Sequence, residues 1–337
     1  AMRHSNIAVF IPHLGCPHRC SFCDQNSISG AAKAPTPEEV DAFLCDAVKK
    51  IKEPKLTEIA FFGGSFTAVE PFYRGELLKI ASHYVKEYGL LGVRVSTRPD
   101  AINSEILTQL QENSVQVIEL GAQNMSDRVL ALNRRGHSAA QVRLASHMIK
   151  ESGFRLGLQM MTGLYGSDDA DDRNTAEEFI NLGADMVRIY PTVTLKGTWL
   201  EQLYTKGYYE PQTLEQAVVS CTALYKLFLG ADIPVIRLGL HASEEMESQM
   251  VCGPYHPAFR ELCESRMMLE NAKELLKGIN TGRVTLAVSE KCLSKMAGQH
   301  RKNLEILQKD GYSVRLKTNP TLKKYQIELL EEETDCF

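Results

Sequence analysis

Short apolar runs alternate with helical patterns through the first two-thirds of this chain of 337 residues. Six runs predict strands, at residues 7–11, 57–62, 92–96, 115–120, 155–160 and 186–190, and helical periodicity follows each of the first five. Strand–helix units with short connections build a parallel sheet covered by crossover helices. A closed eight-unit barrel needs about 250 residues. The pattern therefore predicts an α/β fold, a partial (β/α)6 barrel of the TIM type.

Polar or glycine residues follow the predicted strands at the points where they end. A loop with three cysteines follows the first strand, Gly63, Gly64 and Ser65 follow the second, and Arg98 and Gln123 follow the third and fourth. In parallel α/β folds, sites form at the carboxyl ends of the strands. We therefore expect these residues to face one mouth.

The cysteine loop carries Cys16, Cys20 and Cys23 in the spacing Cys-x3-Cys-x2-Cys, with Phe22 just before the third cysteine. Three thiolates can hold three irons of a [4Fe–4S] cluster, which normally takes four protein ligands. The fourth iron is then open to a ligand that is not protein. This is the geometry that binding and reductive cleavage of S-adenosylmethionine (SAM) requires.

The same cysteines leave other interpretations open. Zinc could bind the three thiolates with His13 or His18 as the fourth ligand, although zinc sites more often repeat Cys-x2-Cys pairs and no second pair follows here. A third possibility is that the cysteines bind no metal. A disulfide is disfavoured because nothing in the sequence indicates an oxidising compartment.

Composition favours a cytoplasmic protein. The sequence has no run of 18 apolar residues and no apolar stretch of a signal peptide near its start. Its odd count of nine cysteines fits reduced thiols. The other six, which include Cys252, Cys263 and Cys336, are scattered along the sequence and are expected to be mostly buried small side chains.

The C-terminal part differs in charge from the rest. Residues 283–325 contain ten Lys and Arg against three Asp and Glu, in a chain whose net charge is −4. The pattern there predicts a small β-α-β-β unit with one helix over residues 291–309. We expect three domains: a barrel at 1–240, a helical linker at 241–282, and a small basic α+β unit with an acidic tail at 283–337.

Part of this basic segment resembles a KH-type module, in which a GxxG turn between helices clamps backbone phosphates. Arg301 stands at the second glycine position, so the motif is degraded. The interpretation is RNA contact through Lys295, His300, Arg301 and Lys302. The alternative is a structural cap or a contact between copies of the chain.

The chain resembles the radical SAM superfamily over roughly residues 5–240, and within it the radical SAM half of the catalytic Elongator subunit. The resemblance rests on collinear runs, which are FGGSFT from Phe62, TRPD from Thr97, ELGAQ from Glu119, LNRRGH from Leu132, QMMTGLYGS from Gln159, IYPT from Ile189 and KGT from Lys196.

The resemblance implies a role for each site residue. It implies that Cys16, Cys20 and Cys23 bind iron and that SAM chelates the fourth iron. It implies that a second set contacts SAM: Phe22, Gly63, Gly64, Ser65, Ser96, Arg98, Gln123, Arg135 and Gln159. Ser96 stands where related enzymes often carry an acid that binds ribose.

The implied reaction is reductive cleavage of SAM to a 5′-deoxyadenosyl radical, with an electron donor such as flavodoxin or ferredoxin. The expected substrate is a nucleoside in tRNA or rRNA. The alternatives are a small-molecule or peptide substrate with a purely structural C-terminal unit, and a non-catalytic zinc or cluster protein. Only about 60 residues follow Arg283, too few for the acetyltransferase domain of the Elongator subunit.

Overall fold

The computed structural model describes residues 4–11, 16, 19–23, 33–241 and 244–333. Its strands are β1 (Ser5–Ile11), β2 (Thr57–Gly63), β3 (Gly92–Thr97), β4 (Val115–Gln123), β5 (Arg155–Thr162), β6 (Met186–Pro191), β7 (Thr194–Leu195), β8 (Val235–Leu238), β9 (Met250–Cys252), β10 (Gly282–Val288), β11 (Tyr312–Thr318) and β12 (Ile327–Glu333). The alternative zinc ligands His13 and His18, together with Cys336, lie outside the described residues.

Helices follow most of these strands. They are α1 (Pro37–Val48), α2 (Pro71–Tyr88), α3 (Ser104–Glu112), α4 (Asp127–Leu132), α5 (Ala139–Glu151), α6 (Asp169–Asn181), α7 (Trp199–Thr205), α8 (Leu214–Gly230), α9 (Glu244–Gln249), α10 (Phe259–Leu275), α11 (Leu293–Ala297) and α12 (Lys302–Lys309).

The main sheet has seven strands in the order β1-β2-β3-β4-β5-β6-β8, and every neighbouring pair is parallel. This confirms the partial barrel, and the six predicted strands lie in sequence order. β8, which the sequence also predicts as a strand over residues 234–240, adds a seventh strand to the six predicted units. β1 and β8 form the two edges of the sheet, so the barrel is open between them.

The core lies between the outer face of this sheet and its helices. On β2, Ile59 and Phe61 are fully buried against apolar helix residues such as Leu44 and Leu77. Side chains alternate along a strand, so Glu58 and the other intervening residues of β2 face the inside of the barrel. The inner face therefore carries the polar and charged side chains.

Capping explains where several helices begin. Thr36 caps α1 as predicted, and Glu39 completes a reciprocal capping box. The sequence favours Ser104 as the N-cap of α3, but Asn103 caps this helix by accepting a hydrogen bond from the Ile106 amide at 2.9 Å. Residues 254–277, expected to form a helical hairpin or a linker, contain one continuous helix, α10.

The C-terminal unit is a three-stranded sheet in the order β11-β10-β12, with β11 parallel and β12 antiparallel to β10. This confirms the predicted β-α-β-β order. The single helix predicted over 291–309 is wrong, because the chain breaks at Gly298 and forms α11 and α12. Gly298 has φ +77°, which a right-handed helix does not allow.

A buried carboxylate on α10 joins the C-terminal unit to the helices of the barrel. Glu264 pairs with Lys295, accepts a hydrogen bond from the Tyr325 hydroxyl at 2.5 Å, and lies 3.4 Å from Lys324. Burial opposes its ionisation, but the hydrogen bonds from Lys295 and Tyr325 and the lysine charges lower the pKa of Glu264 to about 2. The Tyr325 hydroxyl also lies 2.8 Å from that of Tyr225 on α8.

No helix in the described ranges is both long enough and apolar enough to cross a membrane.

Candidate functional site

The cysteine loop is held at the rim of the barrel by a buried asparagine. Asn133 accepts hydrogen bonds from the Ser21 amide at its carbonyl (3.0 Å) and from the Ser21 hydroxyl at Oδ1 (2.7 Å). Its Nδ2 donates to the Tyr165 carbonyl at 2.9 Å, and the Leu200 amide donates to the Ser21 carbonyl at 2.8 Å. Loops that follow β1, β4, β5 and β7 are thereby tied together around the cysteines.

A guanidinium lies directly against one of the predicted cluster cysteines. Nη1 of Arg135 donates to Sγ of Cys20 at 3.0 Å, and Nη2 donates to the Gly121 carbonyl at 2.5 Å. The Arg135 guanidinium also lies 5.8 Å from the centre of the Phe22 ring. A charged donor stabilises a sulfur that carries negative charge, as a metal-bound thiolate does.

Gly121 lets two of the predicted SAM-binding side chains, those of Gln123 and Arg135, pack closely against β4, and this place is called the Gly121 niche. A Cβ on Gly121 would lie 3.1 Å from Nε2 of Gln123 and 3.5 Å from Nη2 of Arg135. Oε1 of Gln123 and Nε of Arg135 are buried without a hydrogen-bond partner among the described residues. Buried polar atoms are normally satisfied, so this niche is suited to a polar ligand.

The glycines after β2 serve the sheet itself. Gly63 has φ +118°, and a Cβ there would overlap the carbonyl oxygen of Ile11 on β1. The Gly64 amide donates to the same oxygen at 2.9 Å. The close approach of two strands therefore requires Gly63, and contact of Gly63 and Gly64 with SAM stays a prediction.

Two predicted SAM contacts already have protein partners. The Ser65 hydroxyl lies 2.8 Å from the Thr97 hydroxyl and accepts from the Arg98 amide at 3.1 Å. The Arg98 guanidinium donates to both carboxylate oxygens of Asp100 and to the Arg135 carbonyl. In this structure Ser65 and Arg98 hold the rim together, and contact with SAM stays a prediction for both.

The inside of the barrel contains a network of charges centred on Glu119. Its carboxylate accepts from Arg94 at 2.6 Å, from Arg188 at 2.5 Å and from Nε2 of Gln159 at 2.8 Å. Gln159 also donates to the Ser96 hydroxyl at 3.2 Å. Burial would raise the pKa of Glu119, but hydrogen bonds and charges from Arg188 and Arg94 outweigh it and lower that pKa.

Sequence reasoning missed the structural roles of Glu119, Arg94, Arg188 and Asn133. The first three interrupt otherwise apolar strands, and an isolated charge in a strand buried on both faces predicts a buried ion pair. That signal was present in the sequence. Nothing in the sequence around Asn133 indicates its role, because Ser21 and Tyr165, which it holds together, lie 112 and 32 residues away along the chain.

A buried carboxylate also supports the loops after β4 and β5. Asp172 accepts from the Gly163 amide at 3.2 Å, the Ser167 hydroxyl at 3.3 Å and Nδ2 of Asn124 at 3.4 Å. Burial raises the pKa of Asp172 to about 7, because these hydrogen bonds do not compensate for the lost solvation.

We expect the free energy of unfolding to fall as pH rises from about 4 to about 7, because the folded state favours protonated Asp172 above the ordinary Asp pKa. The decrease amounts to about 4 kcal/mol at most. Asp172→Asn removes the titration, so urea unfolding of the variant should change less over this range. Equal pH dependence in both proteins would contradict the assignment.

No three Cys, His, Asp or Glu side chains are gathered at metal-binding distance in the described part of the chain. Cys16, Cys20 and Cys23 all lie within the described ranges. Binding of a metal often organises its own ligands. The iron-binding roles of the three cysteines stay predictions.

Comparison with known proteins identifies the family. The model of the radical SAM superfamily matches residues 10–179, half of the chain, and that of the Radical_SAM C-terminal domain matches residues 184–269. The chain belongs to the radical SAM superfamily. Radical SAM proteins use a [4Fe–4S] cluster and SAM, and the niche beside Cys20 contains unsatisfied polar atoms that fit a polar cofactor.

Relatives of this radical SAM protein include an uncharacterized protein of Methanocaldococcus jannaschii, 32% identical, with 60% of this chain and 65% of that protein covered. A tRNA uridine(34) acetyltransferase of Methanocaldococcus infernus is 26% identical, with 63% and 47% covered. Human Elongator complex protein 3 is 26% identical, with 52% and 32% covered. The chain thus spans less than two-thirds of each of these relatives.

The fold is also similar to that of a solved relative. The structure of archaeal Methanocaldococcus infernus Elp3 with an N-terminal deletion matches with a TM-score of 0.62 at 20% identity, covering 80% of this chain and 64% of that one. This agrees with the resemblance inferred from the motifs.

The predicted RNA contacts have different surroundings. Lys295 is mostly buried and pairs with Glu264, so its charge is already neutralised. His300, Arg301 and Lys302 are exposed. The structure therefore separates Lys295 from the other three residues.

Proposed function

We propose that this radical SAM protein is an enzyme that modifies a nucleoside in tRNA or rRNA. The observation that carries the proposal is the contact of Arg135 with Cys20 beside the Gly121 niche, at the carboxyl ends of the strands. Two relatives have tRNA modification or Elongator in their names, which supports RNA as the substrate. The electron would come from a small carrier such as flavodoxin or ferredoxin, in the cytoplasm, where thiols stay reduced.

In this proposal Cys16, Cys20 and Cys23 hold the cluster, and Gln123 and Arg135 are the side chains best placed to bind SAM. When bound, these cofactors supply one-electron cleavage of SAM and removal of a hydrogen atom from the substrate. The protein's residues position and shield that chemistry. Arg135 donates a hydrogen bond to Sγ of Cys20, which would bind the cluster, and Asn133 holds the loop that contains Cys20.

The barrel interior contributes rigidity in this proposal. Ion pairs hold Glu119, Arg94 and Arg188 in place. These side chains therefore form a fixed polar surface deeper in the barrel than the Gly121 niche. Gln159 bridges this polar surface to Ser96. A pre-organised polar site costs little rearrangement when the substrate enters.

The test is made on anaerobically reconstituted protein reduced with dithionite in the presence of SAM. We expect 5′-deoxyadenosine to form and to increase when a cellular tRNA pool is added. Cys20→Ala should lose most of its iron and all of this product, whereas buried Cys221→Ala, on α8, should keep its iron. If the amount of 5′-deoxyadenosine does not change when RNA is added, the substrate would instead be a small molecule or a peptide. Bound iron without product would contradict the enzymatic proposal.

A further inference from the structure

The break between α11 and α12 is a fixed turn that places residues in a strained conformation. His300 and Arg301 have φ of +51° and +63°, in the left-handed region that non-glycine residues seldom adopt. Strain of this kind persists only where the surroundings enforce it, and it occurs often at ligand-binding segments.

Asn303 enforces the turn from below. It is buried, and its Nδ2 donates to the Ser265 carbonyl at 2.9 Å, the Ser265 hydroxyl at 3.0 Å and the Lys295 carbonyl at 3.2 Å. A Cβ on Gly298 would lie 3.0 Å from the Asn303 amide nitrogen. The turn is therefore locked onto α10 and α11.

The turn leads directly into α12, whose N-terminus has no side-chain cap among the described residues. Arg301 occupies the N-cap position and provides no side-chain hydrogen bond to the first-turn amides. The first amides of a helix carry partial positive charge and bind anions such as phosphate. Here His300, Arg301 and Lys302 add positive side chains at that same place.

Residues that follow the neighbouring strands add further positive charge at this end of the unit. α12 runs back to the start of β11, so its first residue lies beside the second half of that strand; Val314 and Leu316 face the helices there, and Lys317 points to the opposite face of the sheet. Lys291 follows the adjacent end of β10, and Lys323 follows the end of β11. All are exposed.

No carboxylate in the described part of the chain neutralises these cations, a property they share with Lys309 and Arg315 but not with Lys295 and Lys324 of the same unit. Among the described residues, none lies within ion-pair distance of Lys291, Arg301, Lys302, Lys317 or Lys323. By contrast, Lys295 and Lys324 pair with Glu264, and Lys273 of α10 pairs with Asp310 at the far end of α12. The turn therefore carries positive charge that no carboxylate among the described residues offsets, and Lys309 offers an equally unpaired cation at the other end of α12.

We propose that the turn end, defined as residues 298–302 with Lys291 and Lys323, binds the phosphates of single-stranded RNA. The inference rests on the proposed function and names the surface that would hold its substrate. KH-type modules clamp a nucleic-acid backbone with a GxxG turn between two helices. The structure has this arrangement although Arg301 replaces the second glycine, and the arginine adds a charge where the glycine would add none.

The test uses full-length reconstituted protein and fluorescence anisotropy with a short labelled single-stranded RNA. The double variant Arg301→Glu with Lys302→Glu should bind at least about tenfold more weakly at low salt, because two attractive interactions with phosphate become repulsive. The slope of log K against log salt should become shallower by about 0.7 for each phosphate that the variant no longer neutralises.

The matched control is Lys309→Glu, at the opposite end of the same helix. It reverses one charge of the same type and should leave RNA binding unchanged within about twofold. An equal reduction in affinity per reversed charge in both variants would show that only net charge matters, and it would overturn the proposal. So would wild-type affinity in the double variant.

A second variant guards against misfolding. Arg301→Gly adopts the left-handed conformation without strain, so it should unfold at the same or higher urea concentration than wild type. It should still bind RNA more weakly, with a slope shallower by about 0.7. Unchanged affinity in this variant would also count against Arg301 as a phosphate-binding residue.

The same proteins separate this inference from the proposed function. If RNA stimulates 5′-deoxyadenosine formation but the double variant binds RNA as wild type does, the surface is wrong and the function stands. If the turn end binds RNA but product formation ignores RNA, the surface stands and the proposed substrate is wrong.

Discussion

Replacing Glu119 with alanine should lower the free energy of unfolding by about 3–5 kcal/mol, because it leaves the mostly buried Arg188 without a compensating charge and removes one of the two carboxylates that pair with Arg94. Both guanidiniums donate to the Glu119 carboxylate within 2.6 Å, and Glu119 is fully buried. Arg94 would keep Glu58, but Arg188 would be left without its only carboxylate partner among the described residues. Urea unfolding at neutral pH measures the decrease.

Glu178→Ala is the matched control for Glu119→Ala. Its carboxylate pairs with Arg143 at 2.9 Å on the surface, and Arg143 is about half exposed. Exposed pairs contribute about 0–1 kcal/mol, so this variant should stay close to wild type. Similar destabilisation of both variants would mean that the interior network does not carry the expected energy.

Gly63→Ala should destabilise the protein by roughly 3 kcal/mol or more, since it combines backbone strain at φ +118° with overlap against the Ile11 carbonyl. The neighbour is backbone in the paired strand β1, so it cannot move aside as a flexible side chain would. We also expect less iron per protein after reconstitution, because β1 leads into the cysteine loop. Thermal unfolding and iron analysis measure the two effects.

The comparison for Gly63→Ala is Gly230→Ala at the end of α8. A Cβ there meets nothing within 4 Å, and alanine in a helix is favoured over glycine by about 0.5–1 kcal/mol. This variant should be as stable as wild type or more so, with full iron content. A Gly63→Ala protein that matches it would contradict the steric argument.

The sheet could be predicted from the sequence because strand and helix periods are local properties. The runs that contain Ile59 and Val93 are apolar over a few residues, and chain order then fixes the neighbours of each strand in a parallel fold. The place of the cysteine loop after β1 followed from the same reasoning. Position along the chain was enough to locate the rim.

The contacts at the rim could not be predicted, because they join distant segments. Arg135 and Cys20 are 115 residues apart, and nothing in either neighbourhood indicates that they touch. The turn at Gly298 was expected only in the KH-type interpretation, and the prediction of one helix over residues 291–309 missed it. The periodic apolar pattern continues through it, and the tertiary contacts of Asn303 decide the conformation.

The junction at Glu264 has a consequence for how a long substrate would be chosen. Because Lys295, Lys324 and Tyr325 all converge on one buried carboxylate of α10, the C-terminal unit cannot swing without breaking several bonds at once. If RNA is bound at the turn end, only a nucleotide at a fixed number of residues along the RNA from that contact would reach the mouth of the barrel. The protein would then select its target nucleotide by its distance along the RNA from the bound phosphates, as well as by the shape of its base.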